Sequence, residues 1–309
     1  MRIAILGATS QIAQDFVQTA TSTDSHTYSL YARRPNAVKH WADQCSLGNI
    51  ASIAGFESFD NKQPFDAIIN FVGIGNPAAA ESMGSSIIDI THEFDTLALN
   101  YLKKNPDTRY IFLSSGAAYG SDFSQAATAS TLSRFNVNHL QAQDWYGAAK
   151  FHAECRHRAL SKFSIVDIRV FSYFSSSQDP SASFLISDVL RSIKTGHILF
   201  TTAENIVRDY MGPHDLNQMI QKILLSAPTN AVVDCYTQQP VEKFQMLDAL
   251  KSKFGLVYKL INLVAGVNAT GWRKNYYSTN QCANAIFGYS PTLSSLETIL
   301  SQSEIILSR

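Results

Sequence analysis

The sequence predicts an α/β protein built on a doubly wound parallel sheet, and three observations carry that prediction. Short apolar runs typical of buried strands alternate with amphipathic helical segments from the N-terminus to residue 170. The first run, at residues 2–6, leads directly into a glycine turn and then a helix. Later runs end in small or polar residues, as expected of strands whose carboxyl ends form a binding site.

The individual strands of this region follow from short apolar runs bounded by turn residues. We place them at residues 2–6, 27–31, 50–56, 66–73, 109–113 and 164–170. A small-residue turn at 73–77 follows the fourth strand. Ile90, Phe94 and Leu97 mark the apolar face of a helix that Pro106 ends.

After residue 170 the alternation of strands and helices becomes looser. Helices are predicted at 184–193, 216–224, 244–254 and 293–307, and strands at 197–200 and 231–236. We therefore predict two parts. A Rossmann-type dinucleotide-binding domain comprises residues 1–170, with roughly 201–230 returning to it. A smaller mixed α/β substrate-binding part comprises 171–200 and 231–309 in the C-terminal half.

The composition fits a globular protein and argues against several partners. The 309 residues are 45% hydrophobic, enough for a substantial core. Lys plus Arg and Asp plus Glu are 25 each, which argues against nucleic acid or an anionic membrane as the main partner. No apolar run reaches membrane-spanning length, and no signal peptide is evident. The four cysteines are scattered, so neither a metal site nor a disulfide framework is indicated. We expect a soluble, cytoplasmic protein.

The glycine turn after the first strand is a candidate site for a dinucleotide pyrophosphate. Free amides and the helix dipole favour negative charge at a helix N-terminus. The spacing from Gly7 matches G-x-x-G-x-x-G, but Ser10 and Ala13 replace the second and third glycines. An ordinary strand-turn-helix corner has a similar pattern, so this turn alone does not establish a cofactor site.

Two arginines follow the second strand, where a dinucleotide fold binds the adenosine ribose. An acidic residue there holds the ribose hydroxyls of NAD. Here Arg33 and Arg34 stand in its place, which favours the 2′-phosphate of NADP. The alternative is a solvated basic turn without a ligand.

A tyrosine and a lysine spaced four apart form the candidate catalytic pair. On a helix, Tyr146 and Lys150 point the same way from neighbouring turns. An ammonium beside a phenol favours the phenolate, so we expect Lys150 to lower the pKa of Tyr146. Ser115 ends the fifth strand and is well placed to join them. A tyrosine and a lysine at this spacing arise by chance in many helices. It is the presence of Ser115 that favours a catalytic role for the two residues.

Four segments together resemble the extended short-chain dehydrogenases/reductases, and more narrowly their nucleotide-sugar epimerase/dehydratase branch. They are the turn at 7–13, Ser114-Ser115-Gly116-Ala117-Ala118-Tyr119-Gly120, Tyr146-x-x-x-Lys150 and Arg208-Asp209-Tyr210. The resemblance spans nearly the whole chain, including residues 287–291. It is carried by the order of the four segments, since each alone is common.

The resemblance implies roles for the matching residues. Tyr146 would be the acid/base, Ser115 would orient the sugar oxygen, and Lys150 would bind the nicotinamide ribose. The remaining implied cofactor residues are Gly7, Thr9, Ser10, Gln11, Ile12, Phe71, Val72, Gly73, Phe171 and Tyr173, besides Arg33 and Arg34. Ser172 and Arg208 would contact the substrate, with Arg208 on its diphosphate; the alternative for Arg208 is a structural ion pair.

The loop beside Ser115 narrows the expected chemistry. Dehydratases of this family often carry Asp-Glu there, whereas this chain has Gly116 and Ala117, so we disfavour dehydration. The leading hypothesis is NADPH-linked reduction of a keto-sugar on a nucleotide. The alternatives are a 4-epimerase with retained NAD or NADP, and a non-catalytic dinucleotide-binding sensor or scaffold. The family also suggests a homodimer.

Overall fold

A sheet of seven parallel strands is the central layer of the protein. The computed structural model describes residues 1–60, 63–73, 82–261 and 273–308. The strands, in chain order, are β1 (Arg2–Leu6), β2 (Thr27–Tyr31), β3 (Ile50–Ala54), β4 (Ala67–Asn70), β5 (Arg109–Ser115), β6 (Ile165–Val170), β7 (Ser172–Tyr173), β8 (Leu199–Thr202), β9 (Val207–Arg208), β10 (Tyr210–Met211), β11 (Ala231–Asp234), β12 (Val241–Glu242), β13 (Tyr258–Ile261) and β14 (Asn275–Tyr276). The central sheet has the order β11-β6-β5-β4-β1-β2-β3.

Helices cover both faces of this sheet. They are α1 (Gln11–Thr23), α2 (Pro35–Gln44), α3 (Ser86–Lys104), α4 (Trp145–Ala159), α5 (Leu185–Thr195), α6 (Pro213–Leu225), α7 (Lys243–Phe254), α8 (Cys282–Phe287) and α9 (Ser295–Leu307). Side chains alternate across a strand. Ile3 and Ile5 of β1 therefore face the core under α1 and α6, whereas Ala4 and Leu6 face the core under α3 and α4.

The strand order places a crevice between β1 and β4. From β1 the chain runs outward through β2 to β3, then returns to β4 on the other side of β1. The helices that follow β1 and β4 therefore lie on opposite faces of the sheet, and their starts separate at the carboxyl ends of these strands. Open α/β sheets bind ligands at this switch point.

The C-terminal half has a core of its own. Phe174, Ile186, Leu199, Leu247 and Ile299 belong to one buried cluster, separate from those on either face of the sheet. Three small sheets accompany it, with strand orders β10-β7, β12-β9-β14 and β13-β8. This separate core agrees with a distinct substrate-binding part. The division into two domains nevertheless remains a prediction.

The Rossmann-type fold expected from the sequence is confirmed, with differences in detail. β11 pairs with β6 as the seventh strand of the central sheet, although we had assigned residues 231–234 to the substrate-binding part. The third strand ends at Ala54 rather than at residue 56. α7 ends as predicted at Gly255, whose φ of 73° suits glycine. Of the turn predicted at 73–77, the structure describes only Gly73.

No helix in the described ranges combines the length and the apolar character needed to cross a membrane.

Candidate active site

Ser115 stands at the carboxyl end of β5, where the strand passes into a short 3-10 helix at Gly116–Tyr119. Its side chain caps this helix, because Oγ accepts a hydrogen bond of 3.1 Å from the Ala117 amide. The residue is 5% exposed. Ser115 is therefore held in one place at the edge of the sheet, as the sequence predicted for a strand-end serine.

A close contact between two backbones brings α4 to this serine. A Cβ on Gly147 would lie 2.4 Å from the carbonyl oxygen of Ala117, closer than real Cβ atoms approach an oxygen. Only glycine allows α4 to pack this tightly against the loop after Ser115. Tyr146, the preceding residue, is half-buried and lies near Ser115 as a result.

Lys150 lies one turn further along α4 and is almost completely buried. Its Nζ donates a hydrogen bond of 2.7 Å to the Leu113 carbonyl, and it lies 4.3 Å from the ring centroid of Phe112. A Cβ on Gly73 would lie 3.3 Å from this Nζ, so the ammonium borders the end of β4. Burial lowers the pKa of Lys150 to about 8, because charge is poorly solvated there.

The pKa of Tyr146 differs from the sequence-based expectation. Its pKa is raised to about 12, mainly by burial; Tyr276 also acts to raise it, and Ser115 and Arg273 act to lower it. The expected lowering by Lys150 is absent in this arrangement. Nζ lies 5.8 Å from the Tyr146 ring centroid and directs a hydrogen bond to a backbone carbonyl instead. Burial therefore favours the neutral phenol of Tyr146 in this arrangement.

The turn after β1 suits the pyrophosphate of a dinucleotide at Gly7, but Ser10 replaces the second glycine of the pattern. Gly7 has a φ of 84°, and a Cβ there would lie 2.8 Å from the Val72 amide nitrogen, so only glycine fits between β1 and β4. Ser10 caps α1 by accepting a bond of 3.3 Å from the Ala13 amide. The first-turn amides of Gln11 and Ile12 have no partner within the helix and remain the donors suited to an anion.

The carboxyl end of β2 accepts hydrogen bonds from the same turn. The amides of Gly7 and Ala8 donate to the Tyr31 carbonyl at 2.9 and 3.1 Å, which fixes the path of the loop. Arg33 and Arg34 follow Tyr31 and are exposed. No salt bridge to either arginine is found within the described residues. They border the crevice on the side where an adenosine ribose would lie.

Residues at the end of β4 divide between the core and the crevice. Phe71 is buried, and its ring centroid lies 5.7 Å from that of Phe16 on α1. The Val72 amide donates to the Asn70 side chain at 2.9 Å. Gly73 is exposed and faces Lys150. Of the three predicted here, only Val72 and Gly73 are open to a ligand.

The segment after β6 links the crevice to α1 through a buried carboxylate. Asp15 accepts hydrogen bonds from the hydroxyls of Tyr173, Ser175 and Ser177 at 2.9, 2.6 and 2.7 Å. Gln11 also donates to Ser175 at 2.8 Å. The predicted cofactor residues Gln11 and Tyr173 therefore belong to one network that joins two walls of the crevice.

Phe171 and Ser172 lie where β6 gives way to β7. A Cβ on Gly116 would lie 2.4 Å from the Phe171 ring, so this ring packs directly against the loop after Ser115. Ser172 lies in β7, beside Tyr210 of β10, and is partly exposed. Phe171 therefore lies against the loop after Ser115, and the site roles of Phe171 and Ser172 remain predictions.

Arg208 lies in the C-terminal part and is 5% exposed. Its guanidinium donates to the carbonyls of Val207 and Arg273 at 2.8 and 2.6 Å. It borders a small cavity whose other lining residues are Leu185, Ile206, Tyr210, Val241, Lys243 and Met246. The neighbouring Asp209 carboxylate is bound by Thr237 and Ser295. A buried guanidinium suits an anionic ligand.

Two residues of the site were missed by sequence reasoning. The hydroxyls of Tyr276 and Ser115 are 3.2 Å apart. The guanidinium of Arg273 lies 4.7 Å from the Tyr276 ring centroid, and that of Arg208 lies 5.9 Å from it. Tyr276 thus lies between Ser115 and Arg208. The only available signal was an aromatic and basic segment at 272–277, which has no recognisable spacing.

The structure therefore brings Ser115, Tyr146 and Lys150 together, with the turn at Gly7 across the crevice. Within the described part of the chain, no cluster of three or more potential ligands could hold a metal ion. The arrangement can place a phenol and a hydroxyl around one oxygen atom of a substrate, with a buried ammonium beside the end of β4.

Comparisons with known proteins agree with this geometry. A sequence model of the NAD dependent epimerase/dehydratase family matches residues 3–234. A search of curated proteins found no match.

Solved structures of similar fold include UDP-glucuronic acid 4-epimerase from Bacillus cereus, in complex with UDP-glucuronic acid and NAD. It is 16% identical with a TM-score of 0.79, covering 100% of this chain and 99% of that one. UDP-glucose 4-epimerase from Thermotoga maritima is 15% identical with a TM-score of 0.80, at 100% and 99% coverage. dTDP-glucose 4,6-dehydratase from Bacillus anthracis is 15% identical with a TM-score of 0.78, at 100% and 97% coverage. At these identities the likeness shows the shared fold.

Proposed function

Because the chain belongs to the NAD-dependent epimerase/dehydratase family, we propose that it oxidises and re-reduces one carbon of a nucleotide-activated sugar, as a 4-epimerase with a retained dinucleotide does. The observation that carries this proposal is the grouping of Ser115, Tyr146 and Lys150 at the end of β5, beside the end of β4. Such a group can move a proton on and off a sugar oxygen at the mouth of a dinucleotide crevice.

The residues of the chain would divide the work as follows. Tyr146 exchanges a proton with the sugar oxygen at its phenolic oxygen, and Ser115 hydrogen-bonds the same sugar oxygen. Lys150 places positive charge beside the crevice near Gly73, where a ribose hydroxyl would lie. A bound nicotinamide would supply hydride acceptance and donation. The protein's contribution is to hold the sugar oxygen in each half-reaction, while the keto-sugar turns over between them so that hydride returns to the opposite face of the carbon.

The loop next to Ser115 argues against dehydration. Elimination of water from a sugar needs an acid and a base at adjacent carbons. Gly116 and Ala117 occupy this loop, are buried, and carry no titratable group. The proposal is therefore a reaction confined to one carbon, which Tyr146 can serve alone.

The surroundings of Arg208 support a nucleotide-sugar substrate. A guanidinium matches a diphosphate in charge and geometry. Tyr276 connects this arginine to Ser115, so a diphosphate at Arg208 would place its sugar near Tyr146. The similar structures in complex with UDP-glucose and UDP-glucuronic acid support the same class of substrate.

The cofactor proposed is NAD, with NADP as the alternative. The family is NAD-dependent, and similar structures of two 4-epimerases are complexes with NAD. Arg33 and Arg34, exposed at the end of β2, are the observation that favours a 2′-phosphate. Identification by mass of the dinucleotide released from denatured protein distinguishes the two.

The second candidate is net reduction of a keto-sugar by NADPH, supported by the same two arginines. Product formed without net change in reduced cofactor supports the epimerase. Loss of one NADPH per product supports the reductase instead.

The test incubates purified protein with UDP-glucose or UDP-glucuronic acid and follows the C4 epimer by chromatography. We expect interconversion by the wild type without added cofactor. Protein that releases a dinucleotide on denaturation but converts neither these sugars nor a panel of other nucleotide sugars would be the non-catalytic sensor or scaffold. A homodimer and a cytoplasmic location remain predictions.

A further inference from the structure

A second tyrosine lies in the site, from a segment that the sequence did not connect to it. Tyr276 is 6% exposed, and its hydroxyl lies 3.2 Å from Ser115 Oγ. The two residues are 161 positions apart in the chain. Two phenols, from Tyr146 and Tyr276, therefore approach one serine.

The position of Tyr276 is fixed by the backbone around it. The Asn275 amide donates to the Phe123 carbonyl at 2.9 Å, and the Ala127 amide donates to the Tyr277 carbonyl at 2.9 Å. The Tyr276 ring lies 4.7 Å from that of Phe123 and 5.3 Å from that of Phe171. Backbone pairing on both sides of the residue and aromatic packing leave its hydroxyl little freedom.

A further anchor lies two residues beyond it. Ser278 donates to the buried Asp234 carboxylate at 2.6 Å, and Tyr119 donates to the same carboxylate at 2.9 Å. Tyr119 belongs to the 3-10 helix that begins after Ser115. The segment of Tyr276 and the loop of Ser115 are thus tied to one carboxylate.

The number of hydrogen bonds that Ser115 can make determines the effect of its contact with Tyr276. A hydroxyl has two acceptor sites and one proton to donate. The Ala117 amide fills one acceptor site at 3.1 Å. A phenol is more acidic than an aliphatic alcohol, so Tyr276 is the favoured donor in its contact with Ser115 and fills the second. Ser115 then retains only its own proton to offer.

We propose that Tyr276 is a positioning residue that holds Ser115 as a hydrogen-bond donor toward the reacting sugar oxygen. This inference rests on the proposed function. A serine that only donates stabilises a carbonyl oxygen, the acceptor present after the sugar has been oxidised. Tyr276 acts through Ser115 and takes no proton from the substrate.

The closing experiment is a double-mutant cycle on turnover of the nucleotide sugar. Tyr276→Phe removes the hydroxyl and keeps the ring, so the aromatic packing is retained. We expect kcat to fall about 10-fold with KM within about twofold, because the lost bond acts on the reacting oxygen. Ser115→Ala lowers kcat further, and adding Tyr276→Phe to it causes no additional loss.

The matched control is Tyr277→Phe, which removes a hydroxyl from the adjacent residue and should leave kcat unchanged. Melting temperatures of all variants check that they are folded. Tyr276→Phe with wild-type kcat overturns the inference and leaves the proposed function intact, as does an equal loss in the Ser115→Ala background. A wild type that converts no nucleotide sugar overturns both.

Discussion

At the residue scale, burial shifts the pKa values of Tyr146 and Lys150 in opposite directions. It raises the pKa of Tyr146 to about 12 and lowers that of Lys150 to about 8. Burial therefore disfavours the charged form of both side chains. The Tyr-x-x-x-Lys spacing predicted the pair, but not the direction in which the tyrosine shifts. That direction depends on how deeply α4 is buried and on where Nζ points.

Removal of the Tyr146 hydroxyl is expected to abolish most of the activity. Tyr146→Phe deletes the proton carrier while retaining the ring, so kcat should fall about 100- to 10,000-fold. Steady-state kinetics on the nucleotide sugar measures the loss, and the dinucleotide content of the variant should match that of the wild type. A variant that keeps more than about a tenth of wild-type kcat would assign the proton transfer to another group.

The pKa of His157, a residue with no proposed role in the reaction, is also shifted. It is fully buried between Asp167, at 2.5 Å, and Asp95, at 2.7 Å. Burial alone lowers its pKa, but the two carboxylates outweigh this and raise it from 6.5 to about 9. A raised pKa means that the imidazolium stabilises the fold fully below about pH 6.5, and that this stabilisation is lost as pH rises through about 9.

We therefore expect the free energy of unfolding to fall by up to about 3 kcal/mol between pH 6.5 and pH 9.5 from this group. Urea unfolding at several pH values measures the slope. His157→Gln should be about 3–5 kcal/mol less stable at pH 6.5, since it removes the cation between two buried carboxylates and leaves each with one arginine, Arg156 or Arg158. His40→Gln, on the exposed side of α2, is the control and should follow the wild type. A wild-type slope that His157→Gln leaves unchanged would contradict the assignment.

At the element scale, the packing of α4 on the loop after β5 creates the site. Tyr146 and Ser115 come from elements separated by 30 residues, and the glycine between Tyr146 and Ala148 lets them meet. The sequence showed Gly147 only as a glycine within a helical segment, where it lowers helix propensity. Its contact with the Ala117 carbonyl explains why that cost is tolerated.

Gly147→Ala should therefore damage activity more than its size suggests. The added methyl would overlap the Ala117 oxygen, so α4 must move outward, at a cost of about 1–3 kcal/mol of stability. We expect kcat to fall at least about 10-fold, because Tyr146 moves with the helix. Gly48→Ala adds the same methyl where nothing lies within 4 Å, and it should change neither property. Wild-type kcat in Gly147→Ala would show that the helix can shift without loss.

At the scale of the whole molecule, the crevice of the sheet and the C-terminal part meet at Tyr276. Arg208, beside this tyrosine, belongs to the small sheet β12-β9-β14, whereas Ser115 belongs to the central sheet. Under the proposed function, this join would let a long substrate contact both parts at once, with substrate binding at Arg208 separate from the chemistry at Ser115 and Tyr146.

Arg208→Lys tests that separation. Lysine keeps the charge but loses the planar fork that binds a diphosphate through two parallel hydrogen bonds. We expect KM for the nucleotide sugar to rise about 10-fold or more, with kcat changed less than about threefold. A fall in kcat with unchanged KM would place Arg208 in the reaction itself rather than in substrate binding.

The sequence by itself determined the layer architecture, the turn at Gly7 and the choice of Ser115, Tyr146 and Lys150 as candidate catalytic residues. These follow from local periodicity, backbone freedom and fixed helical spacing, all of which are written in neighbouring residues. The strand at 231–236 was predicted, but its pairing with β6 in the central sheet was not, because a short apolar run does not reveal which strand it pairs with.

Only the tertiary structure decided that Tyr276 reaches Ser115, that His157 lies between two carboxylates, and that burial raises the pKa of Tyr146. Each of these depends on contacts between residues far apart in the chain. Such contacts arise from the packing of whole elements, which the spacing of residues within one element does not specify.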